Sequence, residues 1–274
     1  MEAAAAYRNE AVKLRALLDR HGPEALGLVT GFKSWSVADV VGHLHMFDVA
    51  ARLSLEDALG RSENAFPRFF APVGEALAEG REMMDAQRRW LADEKLEGEA
   101  LVERWSTEAE RLAALFADAD PKLRVAWAGP DMSARSAATA RQMETWAHGH
   151  EVFDRLGERR AEDDGLRNIA HLGVATFAWS FRNRGEEPPG PRPAVALRAP
   201  GGAVWEWEGG PDRVTGSALG FCQTVTQTRN VADTDIRAEG TTARAWMEKA
   251  QCYAGPAHRP PGPGERGVTP RRTA

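Results

Sequence analysis

Apolar residues recur at helical spacing through the first part of the chain. Residues 2–21 carry an apolar stripe with spacings of four, three and four, and the sequence HGP stops it, which predicts an amphipathic helix. The stripe consists of Tyr7, Ala11, Leu14 and Leu18. A second helix is predicted to begin at Ser36, because Ser36 and Asp39 form a loose capping box before another apolar stripe.

Helical patterns continue to the end of this part. A third helical region is predicted from near Pro72 to Pro121, with an interruption around residues 94–100. Ser133 is a good N-cap for a fourth helix, which should run to about Gly157. Four helices with short or medium connections predict an up-down four-helix bundle.

The pattern changes after another predicted helix at residues 163–183. Residues 185–193 form a Pro- and Gly-rich boundary, and the short stretches that follow alternate apolar and polar residues, with a hairpin signal at Gly201–Gly202. A helix, a strand and another helix complete an α+β pattern. The predicted fold class is therefore α+β. Its domains are a helix bundle at 1–160, a linking helix and smaller α+β module at 161–256, and a disordered tail at 257–274.

The amino-acid composition limits the kinds of molecule that the protein is expected to bind. Apolar residues make up 43% and charged residues 27% of the chain, and the net charge is −5, without the basic stripe of a nucleic-acid-binding protein. We find neither a secretory signal nor an apolar run long enough to span a membrane. Cys222 and Cys252 lie far apart and are interpreted as packing residues. These features predict a cytoplasmic protein, a monomer or homodimer, without nucleic-acid or membrane partners.

The stretch RQMETWAHGHEVFD, residues 141–154, holds the first candidate chemistry. Glu144 and His148 are four residues apart on a predicted helix, so their side chains can converge on one point. They would supply two ligands to a metal ion, and a catalytic zinc site needs a third. Alternatively, such a pair is an ordinary surface pair, and a histidine on an amphipathic helix is often structural.

The third ligand should come from the second helix. His43 and His45 are two residues apart, about 200° around the helix axis, so only one of them can face the core. His43 lies on the apolar stripe beside Val40 and Phe47, whereas His45 lies nearer the polar side. The resulting His₂Glu set would suit Zn²⁺ or another divalent first-row ion.

Three stretches match sequence patterns that occur together in one protein family. WSVADVVGHLHMFD at 35–48 follows the pattern W-[ST]-x-x-[DE]-[VL]-x-x-H-[LV], and METWAHGHEVFDRLG at 143–157 contains E-x-x-x-H. The stretch from VTQTRN to the end of QCYAGP, residues 225–256, is similar to the end of the metal-binding members. Together they resemble the DinB-like superfamily, in its branch of mycothiol-dependent maleylpyruvate isomerases and metal-binding mycothiol S-transferases.

The resemblance implies a divalent metal ion, usually zinc. Its ligands would be one histidine of the first stretch and the Glu and His of the second, which are His43, Glu144 and His148. The same resemblance implies an N-terminal DinB-like bundle and mycothiol, or bacillithiol or glutathione, as thiol cosubstrate.

Further residues receive roles from the same comparison. Glu151 stands where the family often has Asp, which implies a role beside the metal or the substrate, with a surface role as the alternative. Arg229 matches an arginine that binds an acidic substrate or the thiol, and His150 stands where an uncharged residue is usual. Trp127 lies near a loop that could frame the pocket and grip the thiol, although most tryptophans belong to a core.

The expected function is a metal-dependent enzyme that activates a small thiol. Near neutral pH only a few per cent of a free thiol is ionised, and a bound Zn²⁺ can bind and deprotonate it. We expect S-transfer to an electrophilic metabolite, in detoxification or natural-product biosynthesis. The alternatives are maleylpyruvate-type cis–trans isomerisation, a non-catalytic metal-binding bundle, and a hydrolase with Glu151 or His150 as its general base.

Overall fold

The structure is a computed structural model that describes residues 1–127 and 129–269. The chain divides into two compact units, residues 1–157 and residues 158–274. The first unit is helical and the second combines helices with a sheet, so the predicted α+β class is confirmed.

Four long helices form the frame of the first unit. They are α1 (Glu2–His21), α2 (Val37–Ala58), α5 (Gly98–Asp118) and α6 (Ala134–Arg155), with the shorter α3 (Ala65–Ala78) and α4 (Met83–Asp93) between α2 and α5. Helices α1 and α2 each pack against both α5 and α6. The predicted apolar stripe of α1 is buried between these helices, which is why an amphipathic sequence forms a stable helix here.

The region between α2 and α5 differs from its prediction. Helix α3 begins at Ala65, seven residues before Pro72, and Pro72 lies inside it on an exposed face. The helix is stable there because the carbonyl that loses its donor can bond to water instead. Farther along, β1 (Arg124–Val125) and β2 (Met132–Ser133) form a two-stranded antiparallel ladder.

Helices α2 and α4 approach each other closely at Gly42. A Cβ atom placed on Gly42 would lie 2.6 Å from Leu91 Cδ1, which is inside van der Waals contact. A methyl group at this position, one residue before His43, would force the side chain of Leu91 to shift.

The second unit packs helices against a four-stranded sheet. Its elements are α7 (Leu166–Ala175), α8 (Phe177–Arg182), β3 (Pro193–Arg198), β4 (Val204–Trp207), β5 (Gly210–Ser217), α9 (Ala218–Val225), β6 (Arg237–Glu239) and α10 (Thr241–Met247). The strand order is β4-β3-β5-β6; β3 and β4 form the predicted hairpin, whereas β3 and β5 run parallel. The single helix predicted at 163–183 is divided into α7 and α8 at Thr176.

The C-terminal segment, which we predicted to be disordered at 257–274, makes several hydrogen bonds within the second unit. The carbonyl of His258 accepts from Gln227 Nε2 (3.2 Å), and the carbonyl of Pro261 accepts from Asn230 Nδ2 (2.7 Å). Arg266 Nη1 donates to the carbonyl of Gln227 (3.0 Å). Residues 270–274 lie outside the described residues.

Two remaining expectations concern the whole chain. Cys222 and Cys252 are both buried and form no disulfide, as the packing interpretation requires. In the part of the chain that the structure describes, none of the helices has both the length and the apolar content to span a bilayer.

Candidate metal centre

The start of helix α2 fixes the position of His43. Ser36 Oγ accepts the backbone N–H of Asp39 (3.0 Å), and the Asp39 carboxylate accepts the backbone N–H of Ser36 (3.0 Å), so the capping box is complete. Arg88 of α4 holds the same carboxylate by two hydrogen bonds of 2.9 Å. Two turns later His43 lies beside helix α6. His45 was expected nearer the polar side, which is wrong: it is 2% exposed, because its ring packs against Trp90 of α4 (5.2 Å between ring centroids).

Helix α6 supplies the other two candidate ligands. Its N-cap is Ser133, whose Oγ accepts the backbone N–H of Ser136 (3.1 Å), as the sequence predicts. Glu144 and His148 lie on one face, with 3.3 Å between Glu144 Oε2 and His148 Nε2. The distance from His43 Nε2 to the same oxygen is 3.7 Å, so the structure brings the three predicted ligands together.

The spacing of these donors fits a divalent cation. One donor atom from each of the three residues lies within 4.8 Å of the others. A tetrahedral zinc ion with bonds of about 2.0–2.2 Å separates its ligand atoms by roughly 3.4 Å, close to the two distances above. Among the described residues, no fourth His, Cys, Asp or Glu belongs to this group. Three protein ligands are typical of a catalytic zinc site, which keeps one position open.

The charge states of the group also suit a metal. Burial lowers the pKa of His43 to about 4, although the hydrogen bond to Glu144 opposes this shift, so the imidazole is neutral near pH 7. Burial alone would raise the pKa of Glu144, but hydrogen bonds from His148 and His43 outweigh burial and lower it. A neutral imidazole and an ionised carboxylate are the forms that bind metal ions. The side chain of Glu144 is 27% exposed, so the group is accessible from this side.

Aromatic rings surround the two histidines. Trp35 stacks on His148 at 5.8 Å with 12° between the planes, and Phe32 approaches the same ring edge-on at 5.2 Å. A tight turn holds both rings, since the backbone N–H of Trp35 donates to the carbonyl of Phe32 (2.8 Å). Its two central residues, Lys33 and Ser34, have φ values of 48° and 57°, a left-handed pair typical of a type I′ turn.

A buried ion pair beside the centre was not predicted. Arg141 Nε donates to Asp48 Oδ1 (2.9 Å), and the two side chains are 1% and 0% exposed. Trp105 Nε1 donates to the other carboxylate oxygen (3.2 Å), and Arg141 Nη2 donates to the carbonyl of Leu44 (3.3 Å). The pair joins α2 to α6, the two helices that carry the ligands. The sequence contained one indication of this pair. Asp48 continues the helical spacing of Leu44 and Leu55, so a charged residue lies on the apolar stripe of α2.

The other predicted site residues lie in different places. His150 is buried and its ring lies 4.3 Å from that of Trp146, while Glu151 is buried near Gly31 and does not belong to the three-donor group. Trp127 is half-buried and contacts aromatic residues beside His43. Arg229 belongs to the second unit, where it is 9% exposed and donates from Nη1 to the carbonyl of Thr228 (2.7 Å).

Comparisons with known proteins agree with the sequence resemblance. The family model of the mycothiol maleylpyruvate isomerase N-terminal domain matches residues 7–153. The uncharacterized proteins MT0041 and Rv0036c, from two Mycobacterium tuberculosis strains, are each 38% identical over 226 residues, which is 81% of this chain and 83% of theirs.

Two solved structures have a similar fold. They are the mycothiol-dependent maleylpyruvate isomerase and a histidine variant of it, with TM-scores of 0.54 and with 14% and 15% sequence identity. Each comparison covers 88% of this chain and 94% of the other. At this identity the likeness shows the fold.

Proposed function

The chain belongs to the family of the mycothiol maleylpyruvate isomerase N-terminal domain, and from this premise we propose that it is a metal-dependent enzyme that activates mycothiol, or a similar thiol, for attack on an electrophilic metabolite. The observation that carries the proposal is the three-donor group, which is spaced for a divalent cation and has no fourth protein donor among the described residues. A structural metal site would be closed by four protein ligands, so the non-catalytic alternative is disfavoured.

His43, Glu144 and His148 would hold the ion, for which zinc suits the donor set. When bound with an open position, such an ion favours the ionised form of a thiol. The rings of Phe32 and Trp35 pack against His148 and would hold its imidazole in position. The ion pair of Asp48 with Arg141 keeps the two helices in register.

Residues outside the three-donor group would act on the substrates. Arg229 would bind an acidic group of the substrate or the thiol, because guanidinium pairs with carboxylates in a bidentate manner. Glu151 and His150 would accept or return a proton, and Trp127 would contact a bound molecule. These roles follow from the resemblance.

S-transfer and isomerisation share their first step, in which sulfur adds to an electrophilic carbon. In S-transfer the thiol remains in the product, whereas in isomerisation the adduct rotates and releases it. We propose S-transfer as the activity. The description of the matching family model favours isomerisation as the second candidate.

Metal content tests the ligand assignment directly. We expect the purified full-length chain to bind about one equivalent of Zn²⁺ or Co²⁺, and His148→Ala and His43→Ala to lose it. His45→Ala is a matched control, since it removes a neighbouring buried imidazole on the same helix that packs on Trp90. Circular dichroism checks that each variant is folded. Full metal retention by His148→Ala would overturn the assignment.

Thiol binding tests the proposed chemistry separately from turnover. Adding mycothiol to the Co²⁺-loaded protein should produce a sulfur-to-cobalt charge-transfer band, and its absence at saturating thiol would contradict the proposal. Arg229→Ala should keep the metal but lower kcat/KM, while Arg229→Lys should recover part of the loss. Unchanged turnover in Arg229→Ala would show that this arginine does not bind a substrate.

A further inference from the structure

Four aromatic rings form a closed chain of contacts beside His43. Phe47 lies 5.8 Å from Phe70, Phe70 lies 5.6 Å from Phe66, and Phe66 stacks on Trp127 at 6.1 Å with 6° between the planes. Trp127 returns to Phe47 at 6.1 Å. We call these four residues the aromatic wall. Phe47 is one helical turn after His43 and its ring lies 4.7 Å from the imidazole, so the wall adjoins the candidate metal centre.

The aromatic wall is distinct from the main core of the first unit. Phe47, Phe66 and Phe70 lie outside the core cluster, and Trp127 only packs against it from the side. Phe66 is buried at the base of the wall, whereas the other three rings are half-buried and leave surface accessible. Large rings that remain partly exposed beside a metal-binding group are typical of a ligand site rather than of core packing.

The sequence holds the wall in place through Asp57 at the end of α2. Its carboxylate accepts the backbone N–H groups of Ala65 (3.0 Å) and Phe66 (2.9 Å), which are the first two residues of α3. The start of α3, and with it Phe66 and Phe70, is thus tied to the helix that carries His43. The rings are positioned before any ligand binds.

The charges near the aromatic wall restrict the kind of molecule that can bind to it. Among the described residues, the guanidinium of Arg141 lies 5.9 Å from the ring centroid of Phe47. Asp48 already binds this guanidinium, and the side chain of Arg141 is 1% exposed, so it cannot pair with a substrate carboxylate. The four rings themselves offer no cation to a carboxylate, whereas a flat apolar molecule can stack on them at ordinary aromatic distances.

We infer that the aromatic wall binds the electrophile, and that the electrophile is a neutral, planar, aryl-bearing α,β-unsaturated ketone. This inference rests on the proposed thiol chemistry and assigns Trp127 to the electrophile rather than to the thiol. The sulfur of the thiol forms a bond to the β-carbon, and the carbon–carbon π bond breaks. Its electron pair and the thiol proton end on the α-carbon, so no oxidant or leaving group is needed.

The test uses the full chain loaded with metal and without thiol, and the probe is benzylideneacetone. Saturation-transfer NMR and an equilibrium titration measure its Kd, with maleate as the dianionic comparison. Phe70→Ala should raise the Kd for benzylideneacetone roughly tenfold, the loss of one aromatic stacking partner. Phe69→Ala is the matched control: it is the preceding residue of α3, packs on Trp90 (5.4 Å), and should change Kd less than about twofold.

The inference would be overturned if the two substitutions changed the Kd equally, or if Phe70→Ala left the Kd unchanged. Tighter binding of maleate than of benzylideneacetone would also overturn it. Metal content and the cobalt–thiol band are measured on the same proteins. If metal and thiol bind but the ketone does not, the inference fails alone. If the ketone binds the wall in a protein that holds neither metal nor thiol, the proposed function fails while the binding site remains.

Discussion

Breaking the buried ion pair should destabilise the first unit strongly. Arg141→Met keeps much of the apolar stem but leaves the Asp48 carboxylate, which is 0% exposed, without its cation. Removing one partner of a buried pair costs about 3–5 kcal/mol, mainly because the remaining charge stays desolvated. At about 2–4 °C per kcal/mol for a unit of this size, the Tm should fall by roughly 6–20 °C.

The double replacement separates a charge effect from a packing effect. Asp48→Leu combined with Arg141→Met removes both charges and leaves Trp105 Nε1 without its acceptor, which costs about 1–3 kcal/mol. The double variant should therefore be more stable than Arg141→Met alone. Urea unfolding of the metal-free protein, followed by far-UV circular dichroism, measures both free energies and avoids a contribution from bound metal.

An ion pair between α4 and the start of α2, in which the arginine is exposed, provides the control. Arg88→Met removes the partner of Asp39, and since the side chain of Arg88 is 58% exposed it should cost about 0–1 kcal/mol. The reasoning fails if Arg141→Met costs no more than Arg88→Met. It also fails if the double variant loses the full sum of its two single substitutions, because the two side chains would then not be coupled.

Three further substitutions test elements around the site. Ser36→Ala removes the N-cap of α2 and should cost about 0.5–2 kcal/mol in urea unfolding. Gly42→Ala forces a methyl group against Leu91 and should cost about 1–3 kcal/mol in the same assay, with weaker metal binding by equilibrium dialysis. Because hydrogen bonds outweigh burial and lower the pKa of Asp57, its support of α3 should be present above its unfolded pKa and lost as pH falls through the folded value. Amide NMR of α3 should detect this loss, and Asp57→Asn should remove the pH dependence.

Gly74, a second glycine within a helix, provides a control for the Gly42→Ala substitution. A Cβ on Gly74 of α3 would meet no atom within 4 Å, so Gly74→Ala should be neutral or stabilise the protein by about 0.5–1 kcal/mol. A comparable loss at both glycines would show that the close approach of α2 and α4 is not the cause. An Asp57→Asn protein with an unchanged acid transition would likewise contradict the role given to that carboxylate.

Local sequence patterns were sufficient to predict the two helices that carry the candidate metal ligands. Apolar spacing and the capping residues Ser36 and Ser133 place α2 and α6. The apolar face of α2 did not separate His43 from His45, because both side chains are buried. The start of α3 was missed because Pro67 and Pro72 suggest helix breaks. Pro67 lies in the first turn, where backbone N–H groups have no helical partner, so it does not interrupt the helix.

Contacts between distant segments could not be predicted in the same way. Asp48 and Arg141 are 93 residues apart, so a charge on an apolar stripe indicated an unusual position without identifying its partner. The turn that holds Phe32 and Trp35 uses Lys33 and Ser34 in left-handed conformations, where Asn-Gly would have been the recognisable sequence. The parallel pairing of β3 with β5 likewise depends on the whole second unit.

The hydrogen bonds of the C-terminal segment limit how far this protein can be shortened for expression. Cutting the chain after Pro256 would take away the carbonyl of His258, which accepts from Gln227 Nε2, and the guanidinium of Arg266, which donates to the backbone carbonyl of Gln227. Gln227 is 4% exposed, so solvent could not readily replace these partners. A protein truncated after α10 would therefore be less stable than the full chain. Proline-rich termini are often removed for expression, but here the segment should be kept.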